Sequence, residues 1–240
     1  MPIVRVAGVL LGAAAALSAC ATQMAAEPPP GVSLAGAWKV DHSAGDDPQK
    51  VLDQMRAQAY KIIAQHQAQP APPMQRPGPR GGGSGAQSAQ TQDQTSAEDF
   101  APVTTGPGGH RPDPLQHSPM AHVIMDSMAR GDFLTIRQRP GEFVLDYGTS
   151  LRSFTPGGHS VVSAEGGVGD QTSGWDGHSY VIRVRAQSGP DVTEEYSLSP
   201  DGKQLLAKLH IGAEELPAVT LTRVYIPTRE AAPQKLPNND

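Results

Sequence analysis

The chain has 240 residues, with 26 glycines and 23 prolines set against 18% charged and 5% aromatic residues, and it carries a net charge of -5. So few core formers for that length imply that part of the chain does not fold. Acidic and basic residues are interleaved, leaving no basic stripe for nucleic acid, and that class of partner is excluded.

Residues 1-19 read as a targeting segment: Arg5 supplies a positive n-region, Val6 to Leu17 an apolar stretch, and small residues follow. The segment is too short to span a bilayer as a helix and is set aside from the fold. Leu17-Ser18-Ala19-Cys20 resembles the lipobox of bacterial lipoproteins, whose cysteine is acylated and becomes the first residue after cleavage. That resemblance implies a lipid anchor on Cys20 and, with Ala21 rather than Asp next, sorting to the outer membrane on its periplasmic face. An ordinary secretory signal with a chance cysteine is the alternative reading. Cys20 is the single cysteine of the chain, so no disulfide within the chain can form.

Residues 20-32 are small, polar and proline-rich, which predicts an extended tether between lipid and domain. Residues 33-67 predict a first strand around Trp38, then a helix opened by Asp46-Asp47-Pro48, with carboxylates and a proline where a helix start favours them. Val51, Leu52, Met55, Ala59, Ile62 and Ile63 recur at helical spacing and give that helix one apolar face, to be packed on an end or face of a sheet. Residues 68-119 turn to Pro, Gly, Gln, Ser and Thr, a composition that predicts a disordered insertion.

The remainder of the β-domain is assigned to residues 120-228. A short helix carrying Met120, Val123, Ile124 and Met128 is expected to end at Gly131. A hairpin then folds about Pro140-Gly141, and two weaker strands follow at 151-155 and 161-163. Gly166 to Gly169 reads as a loop. From Gln171 to Pro227 apolar and polar residues alternate in four segments, with Tyr180 and Ile182, Tyr196 and Leu198, Leu205 to Ile211, and Val219 to Tyr225 facing inward. Ser199-Pro200-Asp201-Gly202 is a hairpin turn, and residues 229-240 form a disordered tail. The fold class is therefore mainly β: one antiparallel meander of about eight to ten strands closing as a barrel or sandwich, with one or two helices.

Gly36-Ala37-Trp38-Lys39-Val40-Asp41, Trp175-Asp176-Gly177, Leu198-Ser199-Pro200-Asp201-Gly202 and Arg223-Val224-Tyr225 together resemble the opening and closing elements of small exported bacterial proteins of lipocalin-like plan. Ala37 departs from the usual Thr, and the long insertion is foreign to the pattern. The resemblance implies a lipocalin-like β-domain; its motifs mark turns and core positions and transfer no catalytic residue.

Chemistry is sparse. His110, His117 and His122 cluster in sequence without a metal-ligand spacing, so no metal or other cofactor is predicted. Gly158-His159-Ser160 and Gly177-His178-Ser179 lack a nucleophile elbow. The glycines at 166-169 lack a phosphate-loop ending, and Asp176, Glu194, Glu195 and Asp201 suggest no carboxylate pair. No enzyme is predicted. Binding remains: Trp38, Trp175, Tyr180, Tyr196 and Tyr225 could line a cavity for an apolar ligand, or simply fill the barrel. The first reading is an outer-membrane lipoprotein binding an apolar ligand or an envelope partner. A filled structural or accessory protein is the rival, a hydrolase with an unrecognised site the third, and an internal void or its lack separates the first two.

Overall fold

The computed structural model describes residues 24-68, 112-213 and 216-230. The predicted signal segment, Cys20 and most of the insertion and tail lie outside them. Ten strands run β1 (Gly36–Gly45), β2 (Phe133–Arg139), β3 (Glu142–Asp146), β4 (Leu151–Phe154), β5 (His159–Ala164), β6 (Gly167–Asp176), β7 (Ser179–Ala186), β8 (Asp191–Leu198), β9 (Leu205–Gly212) and β10 (Val219–Pro227). They form one antiparallel sheet in the order β4-β3-β2-β1-β10-β9-β8-β7-β6-β5, the single meander that the alternation implied. Consecutive strands pair throughout except β4 and β5, which stand at opposite ends of the order, and β1 also pairs with β10.

Period-two alternation decides what faces inward. Along β8 to β10 the opposed sets Tyr196 with Ala207, Leu209 with Leu221 and Leu205 with Tyr225 sit on the concave side, and all but Ala207 are buried. An aromatic core fills one end of the curl. There Phe143 stacks on Tyr180 at 3.6 Å between ring centroids, and Trp175 meets both rings edge-on.

Helices α1 (Pro48–Ala68) and α2 (Pro119–Ala129) connect β1 to β2 and cover the other end. Ser118 caps α2, its hydroxyl accepting from the Ala121 N–H, and Pro119 takes the first helical position, where a missing N–H is harmless. Leu52, Met55, Ala59, Met120 and Ile124 form a second core with Leu209, Ile211 and Leu221 of the sheet. The predicted apolar faces thus meet the end of the sheet, although Ile63 and Met128 remain exposed.

Four expectations are corrected. Residues 112-118, assigned to the disordered insertion, are ordered: Leu115 is 4% exposed in the helix core, and Asp113 takes both the Nε and Nη2 of Arg56 at 3.0 Å. One well-placed leucine and a bidentate pair anchor a segment whose average composition is poor in core formers. Gly167 to Gly169 belong to β6 rather than to a loop; a Cβ at Gly169 would press within 3.1 Å of Val184 and 3.2 Å of Ala164, so this glycine reflects tight strand packing. The described part of the tether, from Met24 on, lies against the sheet instead of standing free. At the other terminus Glu230, placed in the tail, holds the Lys39 ammonium at 2.8 Å.

Candidate functional site

Between the two cores lies a charged cluster built on Glu194. This residue shares the inward face of β8 with Tyr196, because residues two apart in a strand point the same way, and it is only 6% exposed. An isolated carboxylate there would be prohibitively desolvated. Arg130, which caps α2, therefore grips it with two parallel bonds, Nη1 to Oε2 at 3.0 Å and Nη2 to Oε1 at 3.1 Å. Arg152 of β4 adds its Nη1 to both oxygens at 2.9 and 2.8 Å. The Tyr196 hydroxyl donates to Oε2 at 2.7 Å and lies 3.0 Å from that of Tyr147. Since the Tyr196 proton goes to the carboxylate, Tyr147 is the donor in the second bond.

Burial alone would push the Glu194 carboxyl up, but the Arg152 and Arg130 guanidiniums outweigh it and hold the group well below the usual carboxylate range. Burial likewise pulls at Arg130, and the Glu194 charge more than reverses it, raising the guanidinium further. The Tyr196 hydroxyl is pushed well up, first by burial and then by the Glu194 charge, so it stays protonated and donating. Arg223 of β10 completes the surroundings from another direction. It donates to the carbonyls of Ser127 at 2.9 Å and Gly131 at 2.8 Å, satisfying acceptors at the C-terminal end of α2 where a cation is favoured. Arg130 and Arg223 thereby tie the helix pair to the sheet.

Beside this cluster is a void of about 20 Å³, lined by Arg130, Tyr147, Glu194, Tyr196, Arg223 and Tyr225 among others. A water needs roughly 10–15 Å³ of such space, so about one fits. A shallow groove of about 160 Å³ lies between α1 and the start of β10, over Gln54, Gln58 and Thr220.

The five aromatic residues marked in the sequence all reach the first core. Trp175 and Tyr180 belong to its aromatic stack, and burial pushes the Tyr180 phenol up to about 12 while its hydroxyl donates to Ser173 Oγ at 3.1 Å. Trp38 donates from Nε1 to the Leu34 carbonyl at 3.2 Å. Of the five, Tyr196 and Tyr225 touch the small pocket beside Glu194, which is far below ligand size. Sequence reasoning weighed Glu194 only as a member of a carboxylate pair and set it aside, and it passed over Arg130, Arg152 and Tyr147. A signal for the first was present: Glu194 is the charged residue in the inward series Val192, Glu194, Tyr196, Leu198. Of the three clustered histidines, His110 lies outside the described residues, and among those described no group of His, Cys, Asp and Glu is arranged to hold a metal.

The fold and its interior define a curled ten-stranded antiparallel β-domain with a helix pair over one end. No protein-family model and no curated protein matches the sequence. Among solved structures, lipid binding protein 8 of Caenorhabditis elegans is similar at a TM-score of 0.41 and 10% identity, over 82% of this chain and 99% of that one. A fatty-acid-binding protein from Drosophila melanogaster brain tissue is similar at 0.31 and 18% identity, over 39% and 70%. A secretory abundant heat soluble protein from Ramazzottius varieornatus is similar at 0.32 and 16% identity, over 40% and 70%.

Proposed function

We propose that this is a lipid-anchored protein of the bacterial outer membrane, attached through Cys20, whose β-domain binds rather than catalyses and whose filled interior leaves recognition to its outer surface. The observation that supports the filled interior is that the pocket beside Glu194, half open to solvent, holds only about 20 Å³, against the roughly 300–1,000 Å³ of pockets that enclose small molecules; the anchor rests on the sequence around Cys20. The charged cluster supports it as well. Glu194 is fully occupied by two guanidiniums and a phenol, and a carboxylate held ionised in a closed network is poorly placed to take a proton from a substrate. Its evident work is to fasten α2 to β4 and β8.

A second reading, an apolar ligand held inside, is favoured by the all-apolar seam between the helices and Leu209, Ile211 and Leu221. Lifting the helix pair would open that seam next to the void. The two readings part in one experiment. Cys20→Ser protein should lose palmitate labelling and leave the membrane fraction; unchanged membrane association would defeat the anchor. The same unacylated protein, purified from its own envelope without detergent and examined by native mass spectrometry, with a parallel sample extracted for lipids, should yield no stoichiometric apolar molecule. One amphiphile per chain would replace the filled-interior reading with the second.

A further inference from the structure

The two end strands of the sheet, β4 and β5, are joined by a short turn and share no ladder among the described residues. β5 follows β6 only as far as His159 opposite Thr172, which leaves Ser173 to Asp176 projecting beyond it. Other parts of the chain complete this edge. The Gly157 N–H donates to the Ser173 carbonyl at 2.7 Å, and Ala25 makes a two-way bridge with Trp175, both bonds at 2.8 Å. The approach is close: a Cβ at Gly174 would lie 2.8 Å from the Ala25 carbonyl oxygen and from the Met24 Cβ. Glycine inside a strand often marks a second backbone passing over it, and here that backbone is the N-terminal segment.

From Ala25 the segment crosses the end of the curl to the far side of the gap between β4 and β5. Pro29 and Val32 close a turn at 3.1 Å. Gln138 of β2 then holds it from both sides, Oε1 accepting from the Leu34 N–H at 3.1 Å and Nε2 donating to the Val32 carbonyl at 3.3 Å. Leu34 itself is fully buried in the aromatic core. Residues 24-35 are thus a strap fastened at β6 and at β2. It crosses the end of the sheet that carries the turns at Pro140-Gly141, Gly177-His178 and Pro200-Gly202, opposite the helix pair.

We propose that this strap fixes the domain on a phospholipid surface with the strapped end toward the bilayer and α1 and α2 away from it. The inference rests on the lipid anchor at Cys20 argued above. Only five residue steps separate Cys20 from the bridge at Ala25, and five extended residues reach at most about 17 Å. A chain that short, ending in a backbone bridge, cannot let the domain turn over. Charge at this end is balanced. Arg139 pairs with Glu142, Arg183 with Asp176, Lys203 with Asp201 and Lys39 with Glu230, and the exposed Glu27 of the strap and Arg229 just past β10 add one charge of each sign, so an anionic surface meets no net like charge.

The test uses the acylated full chain, in which Cys20 is the single native cysteine and is blocked by its lipid. A spin label is placed at His178→Cys, on the strapped end, or at Gln187→Cys, about 30 Å of strand away at the other end of β7. Both proteins are reconstituted in phosphatidylethanolamine and phosphatidylglycerol vesicles containing a nickel-chelating lipid. Flotation with the vesicles is measured first, then relaxation of the label by surface nickel. The expected result is several-fold stronger relaxation at position 178, levelled when twenty Gly/Ser residues are inserted after Gln23. Equal relaxation at the two positions in floating, uninserted protein overturns the orientation while the anchor stands. Failure to float overturns the anchor and the orientation with it.

Discussion

A buried carboxylate such as Glu194 is held by what surrounds it, and removing the charge from one side alone is the informative change. Glu194→Gln leaves Arg130 and Arg152 facing each other without their counter-ion, the situation in which broken buried pairs cost about 3–5 kcal/mol. Both guanidinium side chains keep about a fifth of their exposure (22% and 24%) and can recover some hydration. The expected loss therefore lies near the lower end, about 3 kcal/mol in a denaturant titration at pH 7. The pH dependence has a fixed sign. The folded carboxyl is depressed below its ordinary value of 4.5, so on acidification the unfolded chain takes up the proton first. The stability contributed by this group is whole above that value and is lost as pH falls through the folded one. Wild-type protein should show that acid limb below about pH 4.5 and Glu194→Gln should lack its share of it; parallel limbs would remove Glu194 from the account. That Glu194 faces inward was legible from alternation along β8. Its partners were not, because Arg130 follows a helix and Arg152 sits in a four-residue strand, 64 and 42 positions away, and only the curl of the sheet brings them together.

At the scale of elements, periodicity located what alternation and helical spacing control and misjudged what single contacts control. The meander from β7 to β10, both helices and the hairpin of β2 and β3 follow their patterns closely. The Ser199 to Gly202 turn is made as its residues require, with the Ser199 hydroxyl and the Lys203 N–H both donating to Asp201 and the Gly202 N–H to the Ser199 carbonyl. Composition averages over a window, and it hid the docking of residues 112-118. There an Asp113 side chain accepts from the Leu115 N–H at 3.0 Å and shapes a turn that aims Leu115 into the helix core. Two changes separate insertion from anchor. Deleting residues 71–109 should leave the thermal midpoint nearly unchanged, since halving a loop alters its closure entropy by only about 0.6 kcal/mol. Leu115→Ala should instead lower stability by about 2–4 kcal/mol, as for other buried leucines. If the deletion lowers the midpoint as much as Leu115→Ala does, residues beyond 112-118 also belong to the packed structure.

Over the whole molecule, an open meander becomes one folded unit through three closures: β1 on β10, the helix pair locked by Arg130 and Arg223, and the strap across the gap between β4 and β5. Helical spacing foreshadowed the docking of the helix pair, but not the arginines that lock it nor the pairing of β1 with β10; the strap was disguised by prolines that normally signal a spacer. Spacer and strap predict different truncation series in protein lacking Cys20. A chain starting at Met24 keeps every contact described for the segment and should match the longer chain in stability. Starting at Ser33 keeps Leu34 in the core but strips the two-way bridge to Trp175 and bares the projecting edge of β6. Two backbone bonds at about 1 kcal/mol each put the expected loss near 2 kcal/mol, read as a lower denaturant midpoint at unchanged slope because little surface is involved. A β6 edge left unpaired also becomes a template for another chain, so the shorter protein should associate at concentrations where the longer one stays monomeric. Equal midpoints for the two starts, together with equal association, would return residues 24-32 to the role of a free spacer and leave the domain without a fixed orientation on its membrane.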